Sequence, residues 1–301
     1  MSELEKEALD KLRLSGKILR ETREEIKNYV REGMPIIEIC EKAENLIRNK
    51  GGKPAFPCNV SINEIAAHYT SPPNDTTKIP ENSVVKVDIG AHVDGYLTDT
   101  AVTVCFNPEY TGLVETAERA LKVAVENIRP GLSTSQLGSI IESSIKSRGF
   151  KPVSNLTGHQ VGRYLVHTGT SLPNVAQLFS SKLKLGGTYA VEPFVTLPNA
   201  AGRVEDGDEA AIFRFVKSRS LKNNHARQLL KYIEVNFRTL PFAERWLQNV
   251  VPRENYREAF HELLSSKCLM QYPVFVEASG KTVAQAEHTV LLIEGGCSVL
   301  T

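Results

Sequence analysis

Apolar side chains at Leu4, Ala8, Leu12, Leu14, Ile18, Ile26 and Val30 recur mostly three or four residues apart among Glu, Lys and Arg. That spacing predicts an amphipathic helix over residues 3 to 32. Pro35 ends it. A second helix over about 36 to 49 stops at Gly51-Gly52, where a left-handed cap costs little. Residues 112 to 128 and 134 to 147 repeat the helical spacing on either side of Pro130-Gly131, with Ser133 or Thr134 as the N-cap. Segments 84 to 90, 96 to 105, 187 to 196 and 281 to 293 are instead rich in Val, Ile, Thr and Tyr and read as strands. Helices and hairpins are therefore interleaved, which favours an α+β fold over a doubly wound parallel sheet.

Residues 210 to 271 differ in character, with 11 Lys+Arg against 5 Asp+Glu and helical spacing near 224 to 236, 241 to 250 and 254 to 266. They predict an inserted, mostly helical subdomain. Its RFVKSRSLKNNHAR stretch could meet RNA or another anionic surface, although a solvated helix face is the commoner origin of such runs.

Composition narrows the rest. A chain of 301 residues, 41% hydrophobic and 24% charged, can bury a sizeable core. Lys+Arg 36 against Asp+Glu 35 removes any global electrostatic case for nucleic acid, an anionic membrane or a strongly charged substrate. Cys40, Cys58, Cys105, Cys268 and Cys297 are odd in number and lack a CxxC pair, so neither a disulfide framework nor a zinc ribbon is indicated. The N-terminus is charged from its third residue, without the apolar run of a signal peptide, and a soluble, cytoplasmic protein is expected.

Within VVKVDIGAHVDGYLTDTAVTV (84 to 104), Asp94-Gly95 signals a two-residue type I′ turn. That turn sets Gly90 opposite Asp99 and Asp88 opposite Ala101. Strand parity then puts Asp88 and Asp99 on one face as diagonal neighbours, with Cβ atoms roughly 7 Å apart at most. Either both line a solvated face, or a cation compensates two half-buried carboxylates. Glu192 in YAVEPFV and Glu287 in VAQAEHTVLL repeat the oddity, each in the middle of an apolar β pattern. Adding His159 from LTGHQVGRYLVHTG gives four carboxylates and one imidazole, a set suited to two divalent cations. Mg or Ca could take the oxygens, but the imidazole moves the preference toward Mn, Fe, Co or Zn.

These motifs, with FPCNVSINEIAAHYTS (56 to 71), stand in an order that resembles the type II methionine aminopeptidases of the creatinase-like pita-bread fold, in the short form seen in archaea. The resemblance covers essentially residues 1 to 301, with 210 to 271 as a winged-helix-like insert. It implies hydrolysis of the first peptide bond by metal-activated water, releasing N-terminal methionine from nascent or newly made proteins.

By motif, Asp88 resembles the chelating aspartate of one metal, Asp99 and Glu287 the bridging carboxylates, and His159 with Glu192 the ligands of the other. Glu192 would also shuttle the proton. The resemblance sets His68 and His167 beside the scissile amide, donating to it or to the oxyanion, and Phe56, Val166 and Tyr272 at the methionine pocket. His288 should point to the opposite face from Glu287. A monomer with transient ribosome contact is expected, without membrane or specific nucleic-acid binding. The alternatives are an X-Pro aminopeptidase or prolidase-like enzyme, which shares the five ligands, and a non-catalytic RNA- or ribosome-binding relative, which predicts damaged ligands.

Overall fold

The computed structural model describes residues 3 to 301 and side chains from Glu5 onward, so the Leu4 side chain lies outside the described residues. Two helices open the chain, α1 (Glu3–Lys27) and α2 (Ile36–Asn49). α1 stops short of residue 32, and Val30 buries in the turn that follows. Its inward face runs through Ser15, Ile18, Leu19, Thr22 and Ile26, while Leu14 is 44% exposed. The stripe is shifted because the Ser15 hydroxyl donates to the Ala91 carbonyl at 3.0 Å and shares a 2.7 Å hydrogen bond with Thr98, so a polar residue holds the seam between helix and sheet.

Next come β1 (Lys53–Ile62), β2 (Ile65–Ala67) and the hairpin of β3 (Val84–Val93) with β4 (Tyr96–Cys105). The turn residues Asp94 and Gly95 have φ of 50° and 87°, the two positive values a type I′ turn requires. Register follows from the turn: Val93 lies opposite Tyr96, Gly90 opposite Asp99 and Asp88 opposite Ala101. Helices α3 (Thr111–Asn127) and α4 (Thr134–Lys146) follow, the latter started by a reciprocal cap between Ser133 and Gln136.

The middle of the chain supplies β5 (Lys151–Pro152), β6 (Thr157–Gly162), β7 (Leu165–Pro173), β8 (Thr188–Val191), β9 (Phe194–Thr196) and β10 (Val204–Asp206). Then come β11 (Ile212–Phe215), α5 (Asn224–Phe237), β12 (Phe242–Ala243), α6 (Arg253–Ser265) and β13 (Leu269–Tyr272). Strands β14 (Phe275–Glu277), β15 (Val283–Gln285), β16 (His288–Ile293) and β17 (Gly296–Val299) close the fold.

Residues 241 to 250 form no α-helix. Phe242 pairs with Phe213, and a 3-10 turn follows at Glu244–Leu247. Tertiary contacts override the local pattern here: buried Glu44 of α2 accepts from Trp246 Nε1 at 2.8 Å and from Arg245. Around α5 and α6, Leu229, Ile233, Phe242, Phe260 and Leu263 gather in an apolar cluster of their own.

On the outer face of β3, Val85, Val87, Ile89 and Ala91 pack with Ile18, Leu19, Ile39 and Ile47 of the first helix pair. The second pair buries Leu113, Leu121, Leu137 and Ile141 against Tyr189, Val191 and Val290 of the five-stranded sheet β17-β16-β8-β6-β7. What remains of these sheets, the faces turned away from the helices, lines a shared cavity.

One edge of β4 is stitched to residues 285 to 289 largely through hydroxyls. Thr103 Oγ1 donates to the Gln285 carbonyl at 2.6 Å and accepts from its N–H at 3.0 Å. Thr289 Oγ1 accepts from the Asp99 N–H at 2.7 Å and donates to the Asp99 carbonyl at 2.8 Å. Between them the Glu287 N–H donates to the Ala101 carbonyl at 3.2 Å, and Thr100 Oγ1 donates to the Glu287 carbonyl at 2.8 Å.

Candidate metal centre

Odd-numbered residues of β3 face the helices, so Asp88 and Gly90 face the cavity, and Asp99 joins them as the partner of Gly90. Phe56, also paired with Gly90, lays its ring across that residue. A Cβ at Gly90 would stand 2.2 Å from the ring, so only glycine admits this approach.

Glu192 and Glu287 do not sit inside strands. Glu192 lies with Pro193 in the break between β8 and β9, and Glu287 with Ala286 in the break between β15 and β16. At both places the chain leaves one sheet for another, passing between the β15-β9-β5 sheet and the five-stranded sheet. Pro193 cannot donate to a ladder, which helps explain why the apolar run is cut there. The breaks turn both carboxylates into the cavity, where they meet Asp88, Asp99 and His159.

His159 Nε2 stands 3.5 Å from Asp99 Oδ2 and 3.4 Å from Glu192 Oε1. Ligand atoms of Asp99, His159 and Glu287 lie within 4.8 Å of one another. Asp88 Oδ1, Asp99 Oδ1, Glu287 Oε1 and His159 Nδ1 are all buried without a hydrogen-bond partner. Burial pushes the Asp99 carboxyl up to about 7, and burial with mutual repulsion raises Asp88, Glu192 and Glu287 as well. Burial holds His159 down to about 4. Acceptor oxygens left without donors, together with a neutral imidazole, form a donor set that fits divalent cations and would otherwise be costly.

Around this centre the cavity, about 610 Å³, is lined by all ten residues singled out from the sequence. His167 packs edge-on against His159 with ring centroids 4.3 Å apart, and burial holds it down to about 3. His68, at φ 66°, is wedged between Tyr272 and Phe275, and burial holds it down to about 4. Its Nδ1 lies 3.3 Å from the Pro273 carbonyl, which can only accept. A neutral ring donating from Nδ1 to that carbonyl would present Nε2 as an acceptor. His288 turns away as its strand parity requires, its Nδ1 lying 2.9 Å from Arg23 and 3.2 Å from Thr301.

Sequence reasoning missed several participants. The Gln285 amide reaches Glu192 Oε2 and Glu287 Oε2, both at 3.5 Å, and also bonds Asp88 together with Asn59. Gln285 sits two residues before Glu287, and a polar residue at that parity in an apolar run was the available signal. Leu240 joins Phe56, Leu97, Val161 and Val166 in an apolar cluster beside the metal residues, and Ile212 and Met270 line the cavity too. Nothing local in the 210 to 271 sequence marks those three.

The metallopeptidase family M24 model matches residues 10–216. A methionine aminopeptidase of Methanocaldococcus jannaschii is 43% identical over 99% of this chain and 100% of its own. Among solved structures, that of a thermophilic Arx1 superposes with a TM-score of 0.84 at 18% identity, covering 100% of this chain and 91% of the other. A methionine aminopeptidase from Thermotoga maritima gives 0.71 at 21% identity, covering 98% and 96%, so the pita-bread fold is shared.

Proposed function

The chain belongs to metallopeptidase family M24, and from that premise we propose that Asp88, Asp99, His159, Glu192 and Glu287 hold two divalent cations, Co, Mn, Fe or Zn, in a type II methionine aminopeptidase. The protein is a metal-dependent hydrolase that removes N-terminal methionine. Identity over nearly the whole chain to a methionine aminopeptidase disfavours the prolidase-like and non-catalytic readings. The observation that carries the site assignment is the set of four converging carboxylates whose buried oxygens at Asp88, Asp99 and Glu287 have no donor.

Cations bound there would polarise the scissile carbonyl and lower the pKa of a water. Asp99 and Glu287, stitched to each other through the β4 edge, would hold the cations together with Asp88, His159 and Glu192. Glu192, open to the cavity, would accept a proton from water and return it to the leaving nitrogen. His167 would donate to the carbonyl oxygen as its charge grows. His68, an acceptor at Nε2, would receive the peptide N–H and hold the amide in line. Phe56, Val166 and Tyr272, with Leu240 beside them, would enclose the methionine side chain. A free α-amine suits the four carboxylates; an acetylated one does not.

Residues 210 to 271 would act as an inserted unit whose basic surface meets ribosomes transiently while the enzyme works as a cytoplasmic monomer. The five free cysteines suit a reducing compartment. Among the described residues no helix is long and apolar enough to cross a membrane.

The test is hydrolysis of Met-Ala-Ser, Ala-Pro-Ser and N-acetyl-Met-Ala-Ser by metal-free protein resupplied with Mn²⁺. Cleavage of Met-Ala-Ser alone is expected. Cleavage of the acetylated peptide would refute an exopeptidase, and preference for Ala-Pro-Ser would reassign the substrate.

A further inference from the structure

Strand β11 presents Ile212 and Arg214 on one face, opposite Tyr272 and Met270 of β13. Ile212, Tyr272 and Met270 all line the cavity, and Arg214, two residues along β11 from Ile212 and paired with Met270, stands next to that lining. Its positive charge is felt by His167 and Tyr272, and it hydrogen-bonds the Tyr272 phenol, which fixes the guanidinium beside the reacting end of the cavity.

What the guanidinium lacks is an anion. Among the described residues no carboxylate pairs with Arg214 within 4.0 Å. Its Nε is buried without any partner, and Nη2 lies 3.9 Å from the Met270 sulfur. Nε and Nη2 form the side-on fork that a carboxylate oxygen pair fits. A thioether is a weak acceptor, and Met270, unbranched and 40% exposed, can swing aside.

We infer that Arg214 is a specificity residue that receives a carboxylate from the third or fourth position of the substrate, favouring acidic over basic chains just beyond the cleaved bond. This rests on the aminopeptidase reading. A peptide whose first residue fills the pocket beside Phe56 must leave the cavity along its wall, and Arg214 adjoins Met270 and Tyr272 of that wall. The carboxylate comes from an Asp or Glu side chain, or from the C-terminus of a tripeptide.

The experiment compares Met-Ala-Asp-Ser-amide with Met-Ala-Lys-Ser-amide, and Met-Ala-Ser with its amide, using the Mn²⁺-loaded protein. For a charge-assisted contact in a half-open site, kcat/KM should favour the acidic peptide about tenfold, chiefly through KM. Arg214→Gln should bring the ratio to about 1, and Arg214→Lys should keep part of it, a pattern that general destabilisation does not give. If only the free tripeptide outruns its amide, the inference holds with the terminal carboxylate as the source. Equal rates in the wild type, or a ratio unchanged in Arg214→Gln, overturn it while leaving the aminopeptidase intact. No cleavage of any of these peptides would remove both.

Discussion

Removing the Thr289 hydroxyl tests whether the stitched edge of β4 holds Asp99 and Glu287 together. Thr289 is fully buried, and its Oγ1 both accepts from the Asp99 N–H at 2.7 Å and donates to the Asp99 carbonyl at 2.8 Å. Thr289→Val keeps the shape and deletes both bonds, leaving two backbone groups buried without partners. Each such group costs about 1–3 kcal/mol, so the loss should be about 3–4 kcal/mol. At about 2–3 °C per kcal/mol for a chain of this size, Tm measured in EDTA should fall by about 6–12 °C. Thr289→Ser keeps the hydroxyl and loses only a buried methyl, about 1 kcal/mol. Mn²⁺ titration should also show weaker binding in the valine variant, because the Asp99 backbone is freed from the segment carrying Glu287. A valine variant no less stable than the serine variant would refute the reasoning.

Two further outcomes follow from the site. His167→Ala should lower kcat about 10²-fold, as loss of one oxyanion donor does, while metal content measured by mass spectrometry stays near that of the wild type; loss of metal would mean that His167 is a ligand. In metal-free protein each raised carboxyl contributes stability present below its ordinary value and lost as pH climbs through its folded value, which for Asp99 is a window from about 4 to about 7. His68, His159 and His167 are held low and run the opposite way, but only below about 6.5, while Lys86, held down to about 7, and the Cys40 thiol, also lowered, oppose toward higher pH. Tm in EDTA should therefore fall between about pH 6.5 and 7.5, and Mn²⁺ should remove the fall; a flat or rising profile without metal would contradict it.

Asp88 and Asp99 were legible because two local rules, an Asp-Gly turn and strand parity, fix their relation without long-range information. Glu192 and Glu287 were legible as residue types but not as geometry. An apolar run looks the same whether it stays in one sheet or crosses between two, and here the crossing aims the carboxylates. Residues 241 to 250 have helical spacing, yet strand pairing at Phe242 and the pull of Glu44 on Arg245 and Trp246 decide their shape. The contact of His68 Nδ1 with the Pro273 carbonyl joins residues 205 apart, which no local pattern carries.

Ile212, Leu240 and Tyr272, which with Phe56 and Val166 would enclose the methionine, belong to a stretch with its own apolar cluster, whereas the five proposed ligands sit on or between strands packed by the two helix pairs. Gauge and cutter are thus mounted in part on different supports. Warming or mutation that loosens α5 and α6 would erode the choice of substrate before it slows bond breaking, so the enzyme should become indiscriminate before it becomes inactive.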